Sequence, residues 1–330
     1  MTSHISVAMC TCNGARFIEE QIHSICEQTR PPREVVVRDD ASDDDTVVRL
    51  KVAWKNYYRR HSVDAPHLKL EVNSRRVGVA ANFAAALSAC DGDFIALSDQ
   101  DDRWSPSRLE HLMHRVEGRP GAMLLHGDAH LVDEQGRGLK KTLFEALQVS
   151  NRELRGLQGE RAFDVLLDRN LVTGATTLIR RELLTLALPM PEFWLHDEWL
   201  GVVAAAIQGL TVEQTALLDY RQHTANQIGA RQESWRSGLN RIFAPRAGEQ
   251  AYRAARAAAL VTRLQALGSA VAPDKLRQAQ SKLEHHEMRA ALPASRFARL
   301  QPVLREFVLG RYHHFGRGWK GAVKDLLEAA

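Results

Sequence analysis

Cysteine is scarce in this chain and badly placed for cross-linking. The 330 residues hold four, Cys10, Cys12, Cys26 and Cys90. None forms a C-x-x-C pair, so neither a structural zinc site nor a disulfide framework is expected, and each thiol reads as a small buried apolar group in a cytosolic protein. Long apolar runs are missing too. The longest candidate, Leu200–Leu210, falls far below the ~20 residues of a membrane-spanning helix. The N-terminal MTSHISVAM has no basic segment followed by a separate apolar one, which argues against a signal peptide. No internal repeat or low-complexity tract is found. A glycine-rich phosphate loop is also lacking: the first predicted strand runs into TCNGAR, which counts against a nucleotidyltransferase.

What is present is a regular alternation. HISVAMCT reads as a short buried strand, and Ile18, Ile22 and Ile25 then recur at helical spacing until RPP stops them. EVVVRDD is a second strand, followed by a helix for which Ser42 and Asp45 form the expected capping box. HLKLEV is a third strand, Ala80–Ala89 a helix after Gly78, and DFIALS a fourth strand. SPSRLEHLMHRV reads as a helix with Ser105 as cap and Pro106 in its first turn. Further on, GATTLIRRELL predicts a strand leading into a helix, HDEWLGVVAAAIQG a helix from about Asp197, and TALLDYRQH a late strand. After Gly229 the pattern is helical. Strands alternating with helices specify an α/β fold, a mostly parallel sheet flanked by helices, here with a helical C-terminal extension.

In such sheets ligands bind beyond the carboxyl ends of the strands. The polar clusters fall there: Thr11 after the first strand, Asp39 and Asp40 after the second, and Asp99, Gln100, Asp101 and Asp102 after the fourth. Three carboxylates within four positions repel one another unless a hard cation offsets them. Mg²⁺ or Mn²⁺ held by one or two carboxylates together with substrate phosphate oxygens is the natural occupant. A carboxylate at Asp39 or Asp40 is suited to accept the N3–H of uracil or thymine. His223, beyond the last predicted strand, is placed to meet metal or diphosphate, and Arg221 to pair with phosphate.

Two segments, ISVAMCTCNGARFIEEQIHSICEQTRPPREVVVRDDASDDDT and VGVAANFAAALSACDGDFIALSDQDDRWSPSRL, resemble glycosyltransferase family 2 and its GT-A fold, a likeness spanning about residues 4–229. HDEWL and YRQHTANQIG resemble the bacterial branch that contains rhamnosyltransferases. The resemblance implies that Cys10 and Thr11 line the nucleotide pocket and that Asp40, beside Asp39, contacts the base. It implies further that Asp99 and Asp101 form the D-x-D signature, with Asp102 an added acid. Asp197 matches the catalytic base, and Arg75 or Arg76 the pocket arginine, with Arg76 the candidate nucleotide-sugar contact. Cys12 stands where the family usually carries an aromatic, which puts base stacking in doubt.

The expected function is therefore an inverting, Mn²⁺- or Mg²⁺-dependent transfer of a sugar to a hydroxyl of a glycan or lipid-linked glycan. The expected donor is dTDP-L-rhamnose, with a UDP-sugar as the alternative. A nucleotidyltransferase or a silent nucleotide-sugar-binding module are the rivals. Residues 1–229 are expected to form the transferase domain and 230–330 a helical region. That second region holds 18 Lys and Arg against 8 Asp and Glu from Arg231 onward, so it carries +10 while the rest carries −6. With Trp235, Phe243, Tyr312, Phe315 and Trp319 interspersed, it suits the anionic inner face of a membrane. The acidic front and the absence of a binding motif argue against nucleic acid.

Overall fold

The computed structural model describes residues 3–61, 65–223 and 246–327. The expected domain boundary at 229/230, Trp235 and Phe243 lie outside the described residues. The chain divides into two units, one of Met1–Ala162 with Leu171–Gln232, the other of Phe163–Asn170 with Glu233–Ala330.

The first unit is built on a seven-stranded sheet. Its strands are β1 (Ile5–Thr11), β2 (Glu34–Asp39), β3 (His67–Val72), β4 (Phe94–Ser98), β6 (Leu124–Gly127), β9 (Leu178–Arg180) and β10 (Leu210–Glu213), in the order β10-β6-β9-β4-β1-β2-β3. Four of the six pairings are parallel; β9 runs antiparallel to both its neighbours. A second, four-stranded sheet, β5-β11-β7-β8, is made of β5 (Arg103–Trp104), β7 (His130–Val132), β8 (Gly138–Thr142) and β11 (Leu218–Arg221). β1 is buried along nearly its whole length, the pattern of a central parallel strand, and its polar Ser6 hydroxyl donates to Glu34 at 2.6 Å.

The flanking helices follow their sequence periodicity. Ile18, Ile22 and Ile25 of the helix Ile18–Cys26 are all buried, and so are Leu109, Leu112, Met113 and Val116 of the helix Arg108–Glu117. Both expected caps are misplaced, however. The second helix runs Thr46–Arg60 with no side-chain cap, because Ser42 donates instead to Asp39 Oδ2 at 2.6 Å while Asp44 accepts from the Thr46 amide at 2.9 Å. Ser107, not Ser105, precedes the helix Arg108–Glu117, since Trp104 and its neighbour are drawn into β5.

Register places the ends of the strands level. Thr11 lies opposite Asp39 and Met9 opposite Ser98, so Asp40 and Asp99 both sit one residue beyond strands adjacent to β1.

The second unit is helical: Arg246–Leu267, Pro273–Ala290, Arg296–Val308, Arg311–Phe315 and Trp319–Leu327, with most of the helix Ala162–Asp168. Tyr312 is its fully buried aromatic anchor, packed with Val303 and Ala322. The Tyr312 hydroxyl donates to Asp325 Oδ2 at 2.7 Å, and Arg289 donates to the same oxygen at 2.7 Å. No described helix is long and apolar enough to cross a membrane.

Candidate active site

The carboxyl edge of the main sheet carries three layers of polar structure. The first, at β1 and β2, is fixed internally. Asp39 is fully buried and accepts from the Thr11 hydroxyl at 2.6 Å, from the Ser42 hydroxyl at 2.6 Å and from the Ser42 amide at 2.8 Å. It holds the edge together and has little left for a ligand. Asp40 accepts from the amides of Val77 (2.7 Å) and Gly78 (2.9 Å) and from Asn73 Nδ2 (2.9 Å). Burial works to raise its pKa, but these donors outweigh burial and hold the carboxyl below its usual range. Asp40 thus shapes the 73–78 loop, and its remaining lone pairs are what a base N3–H would meet.

Gln100 bridges the first layer to the second. Its Nε2 donates to the Cys12 carbonyl at 3.0 Å, and its Oε1 accepts from the Cys12 amide at 2.8 Å. A Cβ on Gly14 would lie 2.2 Å from Gln100 Oε1, so the turn after β1 needs glycine there. Cys10 is half-buried, and its thiol is pushed well above its ordinary pKa, first by burial and then by the nearby charge of Asp99. Arg76 is exposed and pairs with Asp43 at 3.4 Å. Arg75 is exposed as well.

The second layer is the aspartate loop after β4. Asp101 Oδ2 lies 2.7 Å from His223 Nε2, which brings together two residues 122 apart in sequence. His223 stacks on Phe17 with centroids 5.0 Å apart. Arg221 ties the loop down: its Nε donates to the Asp101 carbonyl at 2.8 Å, its Nη2 to Glu20 at 2.6 Å and its amide to Asp102 Oδ1 at 3.2 Å. Arg221 is therefore engaged by protein groups. Asp102 is buried, and its Oδ2 lacks a hydrogen-bond partner among the described residues. Burial, then the charge of Asp101, pushes its carboxyl well above the usual range.

The third layer arrives from far along the chain. The helix His196–Ala206 begins at the same edge, and Asp197 Oδ2 accepts from the Gly174 amide at 2.9 Å while Oδ1 accepts from the Glu198 amide at 2.7 Å. Asp99 is raised above the ordinary carboxylate range by burial, then by Asp101, then by Asp197. Tyr220 on β11 is buried, and its hydroxyl is pushed upward by burial and then by Asp99, Asp102, Asp101 and Asp197 together. Carboxylates from two distant segments thus act electrostatically on one phenol.

Among the described residues, no group of three or more His, Cys, Asp or Glu side chains is arranged to hold a metal alone. Asp101 and His223 offer two donors in mutual contact. That is a third of an octahedral shell, and it fits a hard cation whose remaining ligands would be phosphate oxygens and water.

A family model described as glycosyl transferase family 2 matches residues 6–186, more than half the chain. This chain belongs to glycosyl transferase family 2. The transferase is 25% identical over 238 residues to the Bacillus subtilis protein TuaG, assigned by its name to teichuronic acid biosynthesis; the match covers 70% of this chain and 85% of TuaG. It is also 25% identical over 233 residues to a glycosyltransferase of Nostoc, covering 67% of this chain and 66% of that one. Against mycobacterial relatives at 27% identity, the match spans 47% of their length. Among solved structures, S. aureus TarS 1–349 in complex with UDP-GlcNAc superposes with a TM-score of 0.59 at 15% identity, over 98% of this chain and 88% of that one. The fold is thus that of GT-A enzymes. The matched segment ends before Asp197, Arg221 and His223.

Several residues of this transferase's site were beyond sequence reasoning. Gly174, Tyr220 and Phe17 carried no motif, and in the Asn73–Gly78 loop only the arginines were marked, not the amides and Asn73 that meet Asp40. Only the polar-apolar alternation of β11, which sets Tyr220 between Asp219 and Arg221, hinted that its ring faces inward.

Proposed function

We propose that the enzyme transfers a sugar from a dTDP- or UDP-linked donor to a hydroxyl of a glycan or lipid-linked glycan, with inversion and with help from Mn²⁺ or Mg²⁺. The observation that carries this reading is the convergence of Asp197 with Asp99 and Asp101 at one strand edge, although the two segments lie about a hundred residues apart. In this reading Cys10, Thr11 and Asp40 line the nucleoside pocket, and Gln100 keeps its two turns in register. Asp101 and His223 hold the cation. When bound, the cation supplies positive charge to the departing diphosphate.

Asp197 serves as general base. Two backbone amides orient its carboxylate, leaving lone pairs to take the proton of the attacking hydroxyl. A single base on the face opposite the leaving group gives direct displacement, hence inversion. Asp99 feels the charges of both Asp101 and Asp197, and a bound cation would offset that crowding. Arg221 and Glu20 fix the aspartate loop so that no reorganisation is required at the moment of transfer.

The likeness of HDEWL and YRQHTANQIG to rhamnosyltransferases supports dTDP-L-rhamnose, whereas TarS is described with UDP-GlcNAc. The kinship with TuaG, named for teichuronic acid biosynthesis, supports a growing glycan as acceptor. The test is release of nucleoside diphosphate from a panel of nucleotide sugars, with calorimetry of nucleoside diphosphate binding in the presence and absence of chelator. Release from one thymidine or uridine donor, with affinity lost on chelation, is the expected result. No release from any donor refutes the transfer reaction; undiminished affinity in chelator refutes the cation site.

A further inference from the structure

The last two long helices of the second unit leave apolar side chains in water. On the helix Arg296–Val308, Phe297 is 86% exposed and Val308 77%, with Leu300 and Leu304 exposed between them. At 100° per residue these four fall within a stripe of roughly 80°. On the helix Trp319–Leu327, Trp319 is 60% exposed, and Val323 and Leu327 continue its stripe at spacings of four. The opposite faces are already occupied. Arg299 donates to the Asp325 carbonyl at 3.2 Å, and Val303 and Ala322 pack around Tyr312. The exposed stripes are therefore not part of this unit's own core.

Within residues 296–327 the exposed charges have one sign, and Lys324 also lies within electrostatic reach of Glu249 on the helix Arg246–Leu267. Arg296, Arg305, Arg317, Lys320 and Lys324 are exposed. The two acids of this stretch, Glu306 and Asp325, are both buried. Glu306 is taken by His285 at 2.8 Å and Arg311 at 3.0 Å, and Asp325 by Arg289 and Tyr312. Residues 296–327 therefore expose no carboxylate at all. Ordinary surfaces intersperse both signs, and single exposed apolar residues are unremarkable; a run of them flanked only by cations is not.

We propose that this face docks on an anionic lipid surface, its Phe, Leu, Val and Trp side chains entering the headgroup–acyl boundary while the five cations meet lipid phosphates. A second copy of the same face is a poor occupant, because association would set five cations against five with no exposed acid from residues 296–327 to offset them. Lys and Arg suit the lipid boundary for a second reason: their stems lie along apolar surface while their charges reach the headgroups.

The test is flotation of the full-length protein with vesicles of pure phosphatidylcholine and of phosphatidylcholine with phosphatidylglycerol, across a salt series. Binding to the anionic vesicles only, weakening as salt rises, is expected. Lys320→Gln with Lys324→Gln should lower the partition coefficient on the order of tenfold. Phe297→Ser with Leu304→Ser should abolish flotation at unchanged melting temperature, because both residues are exposed in the free protein. Absence of the intact protein from anionic vesicles at low salt overturns the proposal. So does self-association in sedimentation equilibrium that the Phe297→Ser, Leu304→Ser variant abolishes while vesicle binding is nil. The readout needs no donor or acceptor, so its failure is separable from failure of the transferase reading.

Discussion

Gly174→Ala tests how Asp197 is aimed. Gly174 gives its amide to Asp197 Oδ2 at 2.9 Å, and its carbonyl accepts from the Thr177 amide at 2.8 Å. A Cβ there would lie 2.7 Å from His196 Nε2 and 3.6 Å from Asp197 Cβ. Ordinary contact begins at 3.4 Å, so something must yield by about 0.7 Å. The imidazole has no room to do so. It is buried and lies flat on Phe83, with ring centroids 3.8 Å apart and an interplanar angle of 15°. The turn at Gly174 must retreat, and its amide leaves Asp197. Overpacking of this kind costs about 1–3 kcal/mol of stability. A displacement of about 1 Å at a catalytic group costs on the order of 10²-fold in rate, so kcat should fall about 10- to 10²-fold. Nucleotide affinity depends on the other end of the edge and should hold within about twofold. The assay is steady-state release of nucleoside diphosphate at a temperature well below the variant's melting point. Adding His196→Ala should open the space and recover part of the lost turnover. A kcat within twofold of the parent, or a loss expressed wholly in donor KM, would refute the claim that Gly174 aims the base.

Other perturbations read other parts of the molecule. Asp197→Asn should lower turnover about 10²-fold or more while nucleoside diphosphate binding by calorimetry stays near that of the parent; surviving activity would make Asp197 a mere helix start. Ala41 sits at φ 54°, where an L side chain is strained and glycine is not. Ala41→Gly should therefore raise unfolding free energy by about 0.5–1 kcal/mol in urea titrations, and a loss would show that the Ala41 methyl is needed. Glu213 is pressed upward by burial, but the Thr215 amide, His111 at 3.0 Å and Arg115 at 2.9 Å hold its pKa down to about 2. A depressed carboxyl stabilises the fold above its unfolded pKa near 4.5 and loses that contribution as pH falls towards 2. Urea midpoints of the parent should drop more steeply between pH 5 and pH 2.5 than those of Glu213→Gln, and parallel curves would count against the assignment.

The strand edge was readable from sequence because parallel α/β architecture forces it. Once β1, β2 and β4 are recognised as short buried strands, their trailing polar residues have one place to go. The contact between Asp101 and His223 was half-readable, since both followed strands, but nothing local announced that β11 leaves the main sheet for a second one. That sheet joins strands of two to five residues from positions 103 to 221, and runs so short have no period to detect. The caps were misread for a different reason. Ser42 and Ser105 satisfy local capping patterns, yet Asp39 is buried and needs donors, and Ser42 is the nearest one. Tertiary demand overrode local propensity at those positions. Asp40 shows the same limit: sequence marked it as a ligand contact, and its three bonds to residues 73–78 were invisible.

The Gln100 side chain meets Cys12 as one peptide group meets another across a β-ladder, one donor and one acceptor on each side. It imitates an extra strand residue and continues the sheet past its last true rung. Such mimicry is unforgiving of chemistry: a carboxylate at position 100 has no N–H to return, and a shorter amide cannot span the gap. It also makes the turns after β1 and β4 a single lip. A displacement of the loop after β4 would therefore be carried through Gln100 to Cys12.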